Sequence, residues 1–229
     1  MRFAITTLVL TAGLLPSARA HFFFLVPEAG QSRTLGLILG DGPTPDPSVA
    51  KEYGQPGEFW AVSRAGTVSP ANVMANDAGV RVQLGGDEAV EVYGSVTAGV
   101  VLRGQAEPVL IVHHPRAALE VGGRSSPGGK QPALSVRPTG AGGEVAFAVA
   151  ANGKPHPHAD VTVYVPGEPR PRAVKTGTSG VTPSFTTPGR YAARVSWLEP
   201  TAGEYQGRRY AAIRHYATVV VEVGSARGQ

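Results

Sequence analysis

The chain of 229 residues contains no cysteine. That absence excludes disulfides, thiolate metal sites and a thiol nucleophile, so stability must come from packing. Charged residues make up only 17% of the chain, and the formal net charge of +4 is scattered rather than gathered on one stripe. Nucleic acid is therefore not an expected partner. No stretch sustains a 3.6-residue apolar period over the length a stable helix requires. Beyond the first twenty residues, no apolar run approaches the roughly 20 residues that cross a bilayer. There is no Gly-x-Ser-x-Gly elbow, and no acid/base pair or triad can be assembled, so the chain does not read as an enzyme. Gly123 to Lys130 lacks the glycine spacing of a phosphate loop, and Gln131 stands where a Ser or Thr would bind magnesium. Asp87 and Glu88 in Gly85-Gly86-Asp87-Glu88 read as solvated acids of a hairpin turn.

What is present begins with an export signal. Met1 and Arg2 give a positive start, Phe3 to Leu15 an apolar run, and Ala18-Arg19-Ala20 small residues at the −3 and −1 positions. Residues 1–20 are expected to be a signal peptide, leaving a mature chain that begins at His21 in the periplasm or outside the cell. Part of the net charge leaves with Arg2 and Arg19, and no later segment spans a membrane.

Glycine (30 residues) and proline (20) punctuate short Val-rich runs instead of forming a low-complexity tract. The runs Phe22 to Val26, Thr34 to Leu39, Glu58 to Ser63, Val80 to Leu84, Ala89 to Tyr93 and Pro108 to His113 read as strands. Leu134 to Arg137, Glu144 to Val149, Asp160 to Val165, Arg190 to Trp197 and Tyr210 to Val223 continue the texture with clearer alternation. Tyr191, Ala193, Val195 and Trp197 share one face of such a run, which is period two. Asn152-Gly153 signals a tight turn, and Pro188-Gly189 turns the chain into the Arg190 run. Gly122 to Pro132 holds little that could pack and much that bends. The expected fold is all-β: two β-sandwich domains of immunoglobulin or transthyretin type. Residues 21–121 form the first, 122–132 the linker, 133–223 the second and 224–229 a tail.

Three stretches carry a family resemblance. Ala20-His21-Phe22-Phe23-Phe24-Leu25-Val26-Pro27 resembles the "A-H-x-(aromatic)-x-L-x-P" opening of a periplasmic family of unknown function related to NikM-like nickel and cobalt uptake components. Ala106 to Ala117 (AEPVLIVHHPRA) resembles a segment of its planctomycete-like members. Asn152-Gly153-Lys154-Pro155 through Val163, with Pro188-Gly189-Arg190-Tyr191, is similar to its C-terminal sandwich and to carboxypeptidase regulatory-like domains. The resemblance implies a periplasmic location and transition-metal handling. No stretch after Ala20 is expected to supply the membrane-spanning region of the uptake components.

Any site chemistry must come from histidines. The free amine and imidazole Nδ1 of a mature N-terminal His21 can close one chelate ring, and a second imidazole would complete a T-shaped site. Planar nitrogen donors suit Cu(II) or Ni(II) better than hard cations, and the resemblance adds Co(II). His113 and His114 are the expected second ligands. Strand neighbours point to opposite faces, so only one should share a pocket with His21. Pro115 is expected to end the strand there, leaving the pair reachable from solvent. His156 and His158, spaced by Pro157, would point the same way in an extended stretch and could bridge one cation. His215 shares a face with Ile213, Ala217 and Val219 and reads as a satisfied core histidine. The expected function is an exported periplasmic binding protein that handles copper, nickel or cobalt through His21 and partners an envelope or transport protein. The alternative is a non-enzymatic sandwich scaffold that binds the envelope without metal.

Overall fold

The computed structural model describes residues 21–28, 31–44, 57–76, 79–84, 89–102, 107–121, 131–141 and 143–224. The expected signal peptide, the Gly85–Glu88 turn and residues 122–130 of the expected linker lie outside them. The chain is all-β, and among the described residues no helix is long and apolar enough to cross a membrane.

The first half supplies β1 (Phe22–Glu28), β2 (Gln31–Gly40), β3 (Glu58–Ser63), β4 (Val68–Pro70), β5 (Asn72–Asn76), β6 (Gly79–Gln83), β7 (Ala89–Val101) and β8 (Val109–Ala118). The second half supplies β9 (Leu134–Thr139), β10 (Ala146–Ala151), β11 (Lys154–Pro155), β12 (Asp160–Tyr164), β13 (Arg172–Lys175), β14 (Gly189–Glu199), β15 (Gly203–Tyr205), β16 (Arg208–Tyr210) and β17 (Ala212–Val223). Alternation explains most of them: β9 buries Leu134, Val136 and Pro138 and leaves Ser135, Arg137 and Thr139 partly exposed. The turn from β10 to β11 uses Asn152 (φ 49°) and Gly153 (φ 74°), the two left-handed residues that a type I′ hairpin requires.

An eight-stranded sheet in the order β13-β12-β14-β17-β8-β7-β3-β4 runs through the molecule. Its neighbours are antiparallel except β17 and β8, which pair in parallel from Ala212↔Val109 to Val221↔Ala118. That parallel pair is a seam, because β8 closes the first half of the chain and β17 the second. The sheet β1-β2-β6-β5 packs on one face, setting Phe23, Leu25, Leu35 and Val82 against Val92, Val96 and Ala117. On the opposite face β9 and β10 set Leu134, Val136, Phe147 and Val149 against Val161, Tyr191, Ala217 and Val219. Ala117 and Ala118, adjacent on β8, belong to these two different cores. Sandwich packing therefore occurs twice, on opposite faces of one shared sheet.

β1 is buried on both sides. Phe23 and Leu25 enter the core just described, while Phe22, Phe24 and Val26 meet Ala192 and Val220. Full burial of Phe24 or Leu25 contributes roughly 2 kcal/mol each.

Pro115 does not end its strand. β8 continues to Ala118, and Pro115 keeps its place opposite Thr218 of β17. The ladder to β7 instead lapses there, passing from Tyr93↔Arg116 to Val96↔His113 with no paired residue between. A proline fits where the ladder asks no N–H of it. His113 and His114 consequently lie inside a central strand, 4% and 7% exposed, and not at a solvent-reachable end.

Candidate functional site

Alternation along β8 sends the two histidines to opposite faces, as the sequence predicts. His113 faces β1. Its ring meets the Phe23 ring edge-on at 5.0 Å and stacks on Tyr216, its register partner on β17, at 5.1 Å. Phe22 meets Tyr216 edge-on at 5.0 Å, so the start of β1 lies over the level of His113. His21 immediately precedes β1, half-buried and two residues before Phe23; an extended backbone there would set its side chain on the Phe23 side. The Nδ1 atom of His113 is buried without a hydrogen-bond partner. Burial holds its imidazole neutral, pushing its pKa from 6.5 down to about 3. A neutral imidazole with an unsatisfied nitrogen is the form in which histidine binds metal.

His114 faces the other way and joins a different structure. Its Nε2 lies 3.0 Å from His215 Nδ1, and His215 Nε2 lies 2.9 Å from a carboxylate oxygen of Glu199 on β14. The carboxylate only accepts, so His215 donates to it from Nε2 and, when neutral, accepts at Nδ1. His114 then donates from Nε2, which leaves its buried Nδ1 as a bare lone pair without a partner. Burial first, and then the cationic forms of His215, His113 and Arg116, push the His114 pKa down to about 3. His215 is stacked between His114 at 5.3 Å and Trp197 at 5.4 Å. It is thus a core histidine with both ring nitrogens hydrogen-bonded.

Further along the same face, Arg116 and Glu91 form an ion pair whose side chains are only 7% and 5% exposed. The Arg116 guanidinium lies 5.6 Å from the Tyr93 ring, which stacks on Trp60.

His156 and His158 do not share an extended stretch. The chain turns at Pro157–His158, where His158 has a left-handed φ of 58° and its N–H donates to the Thr176 carbonyl at 3.1 Å. The expectation of two rings pointing one way is corrected by that turn. His156 instead lies with its ring 6.4 Å from Trp197, and His158 is exposed.

Among the described residues, no group of three or more His, Asp or Glu side chains is placed to hold a metal ion. Sequence reasoning missed Glu199 as the anchor of His215, because only the register of β14, β17 and β8 brings Glu199, His215 and His114 together. Searches against protein-family models, characterised proteins and solved structures find no match for this chain.

Proposed function

We propose that the mature protein is an exported, periplasmic binding protein that takes a transition-metal ion at the start of β1, in keeping with its resemblance to the NikM-related family. His21 supplies its amine and imidazole, and His113 supplies the second imidazole. Cu(II) and Ni(II) suit this nitrogen set best, with Co(II) as the third candidate. The observation that carries the reading is the orientation of His113: it faces β1, is held neutral, and keeps a buried nitrogen without a partner. His114 serves a different purpose, since its donor nitrogen is engaged with His215 on the other face. His156 and His158 are separated by their turn and take no part. The chemistry is binding and delivery, without catalysis.

Calorimetric titration of Cu(II) and Ni(II) into four proteins tests this: the chain starting at His21, the same chain with one added N-terminal alanine, His113→Ala and His114→Ala. The extension and His113→Ala should each weaken binding about a hundred-fold or more, because each removes a first ligand or its chelate ring. His114→Ala should bind like the parent. Equal affinities for parent and extended chains would reject the N-terminal site. Absence of binding in all four would favour the scaffold reading.

A further inference from the structure

The face of the central sheet that meets β1 carries two arginines, one packed on Phe22, the residue after His21, and both acting on Tyr216, which stacks on His113. Arg194 of β14 lies with its guanidinium 4.2 Å from the centre of the Phe22 ring and 5.9 Å from that of Tyr164. Arg214 of β17 precedes Tyr216 by two residues and so shares its face. Both guanidiniums act electrostatically on the Tyr216 phenol, which stacks on His113. Among the described residues, no carboxylate pairs with either arginine, whereas Arg64, Arg81, Arg116, Arg172 and Arg190 each have one. Register places Ser196 opposite Tyr216 and Leu198 opposite Arg214; Ser196 is exposed and Leu198 is 43% exposed. Among the described residues, this strip of sheet thus leaves Ser196 and Leu198 exposed and carries two arginines that form no ion pair, with Asp41 acting on the neighbouring Tyr164.

Two guanidiniums with no ion-pair partner among the described residues repel a bare divalent cation and attract an anion, and they matter most where apolar neighbours such as Phe22 lower the local dielectric. A guanidinium also matches a carboxylate in a planar, two-point contact that a lysine cannot reproduce. We propose that Arg194 and Arg214, beside His21 and His113, recognise the carboxylate arms of a small polycarboxylate chelate, so that the protein takes its metal as an anionic complex. This rests on the metal-binding reading above. The His21 and His113 nitrogens fill coordination positions vacated by water. The chelator's carboxylates stay bound to the metal at one end and to the guanidiniums at the other.

The test compares three ligands by calorimetry on the chain starting at His21: Ni(II) in a weakly coordinating buffer, equimolar Ni(II)–citrate, and citrate alone. The variants are Arg194→Gln, Arg214→Gln and Arg194→Lys. Arg194→Lys keeps the charge, and Arg214→Gln spares the Phe22 contact should Arg194→Gln disturb the start of β1. The parent should bind Ni(II)–citrate at least as tightly as Ni(II). Each Gln variant should lose about ten-fold for the chelate, the scale of a charge-assisted hydrogen bond, with affinity for Ni(II) itself unchanged or raised. Arg194→Lys should recover only part of that loss. If citrate weakens binding equally in the parent and the Gln variants, it is a plain competitor and the proposal fails. Binding of citrate alone as tight as that of the chelate would also overturn it. The titration with Ni(II) itself reports on the metal-binding reading separately, because that affinity depends on His21 and His113 and not on the arginines.

Discussion

Acid should unfold this protein early, through His113 and His114. Both are buried neutral, with pKa values near 3 in place of 6.5. Between those values the unfolded chain binds protons that the folded chain refuses, so stability is full above about pH 6.5 and falls with pH toward about 3. One pKa unit is about 1.4 kcal/mol, so at pH 4 each histidine withdraws about 3 kcal/mol. Together they remove about 6 to 7 kcal/mol, a large share of the 5 to 15 kcal/mol that holds a typical domain together. Urea unfolding at pH 7, 6, 5 and 4, followed by the fluorescence of Trp60 and Trp197, measures this directly. His113→Phe is the informative variant, because an aromatic ring between Phe23 and Tyr216 keeps the packing and removes the titration. Its stability should fall less steeply by about 1.4 kcal/mol per pH unit between pH 4 and 6. Groups that titrate alike in parent and variant cancel in the difference. Identical slopes for parent and variant, or a parent whose stability is flat from pH 7 to 4, would refute the reasoning.

The strands were the most legible part of the chain, for a physical reason. Half-buried strands write their burial as alternation, and Glu58–Ser63 or Asp160–Tyr164 can be read almost residue by residue. Short pieces such as β4, β11, β13, β15 and β16 were not visible, since two to four residues carry no period. Asn152-Gly153 announced its turn because few residue pairs accept two left-handed conformations. Pro115 misled, because sequence does not tell which ladder a residue's N–H would serve. The division of His113 from His114 followed from alternation alone. Their surroundings did not: His215 reaches His114 through a parallel pairing between strands about a hundred residues apart, and Glu199 reaches His215 through the β14–β17 register. The same pairing explains why composition suggested two units while hydrogen bonding makes one sheet. Gly122 to Pro132 marks a change of texture along the chain, whereas strand pairing is decided by contacts far apart in it.

Three further outcomes follow from the seam and its buried polar groups. Glu91→Gln should destabilise the protein by about 3 to 5 kcal/mol in urea unfolding at pH 7, because it leaves the buried Arg116 charge uncompensated, while Glu91→Leu combined with Arg116→Met should recover most of that loss. Glu199→Gln, which keeps the size but removes the anion facing His215, should cost about 1 to 2 kcal/mol by the same assay and leave metal affinity unchanged. The last outcome concerns the segment 122–130. A protease site introduced there and cut under native conditions should leave the two fragments together, co-eluting at the size of the intact chain. β8 of one fragment pairs with β17 of the other along its whole length, and Ala118 of the first lies in a core built mainly by the second. β1 adds to this hold by packing Phe22, Phe24 and Val26 on Ala192 and Val220, and the Thr218 hydroxyl donates to the Phe23 carbonyl at 2.6 Å. Separation would expose Val220, Val221 and Ala217, all fully buried, together with both edges of the seam, a state open to aggregation. Two cut fragments that separate on native size exclusion, each keeping its β-sheet circular dichroism and unfolding cooperatively alone, would show that the shared sheet does not hold the halves together and that they are independent domains.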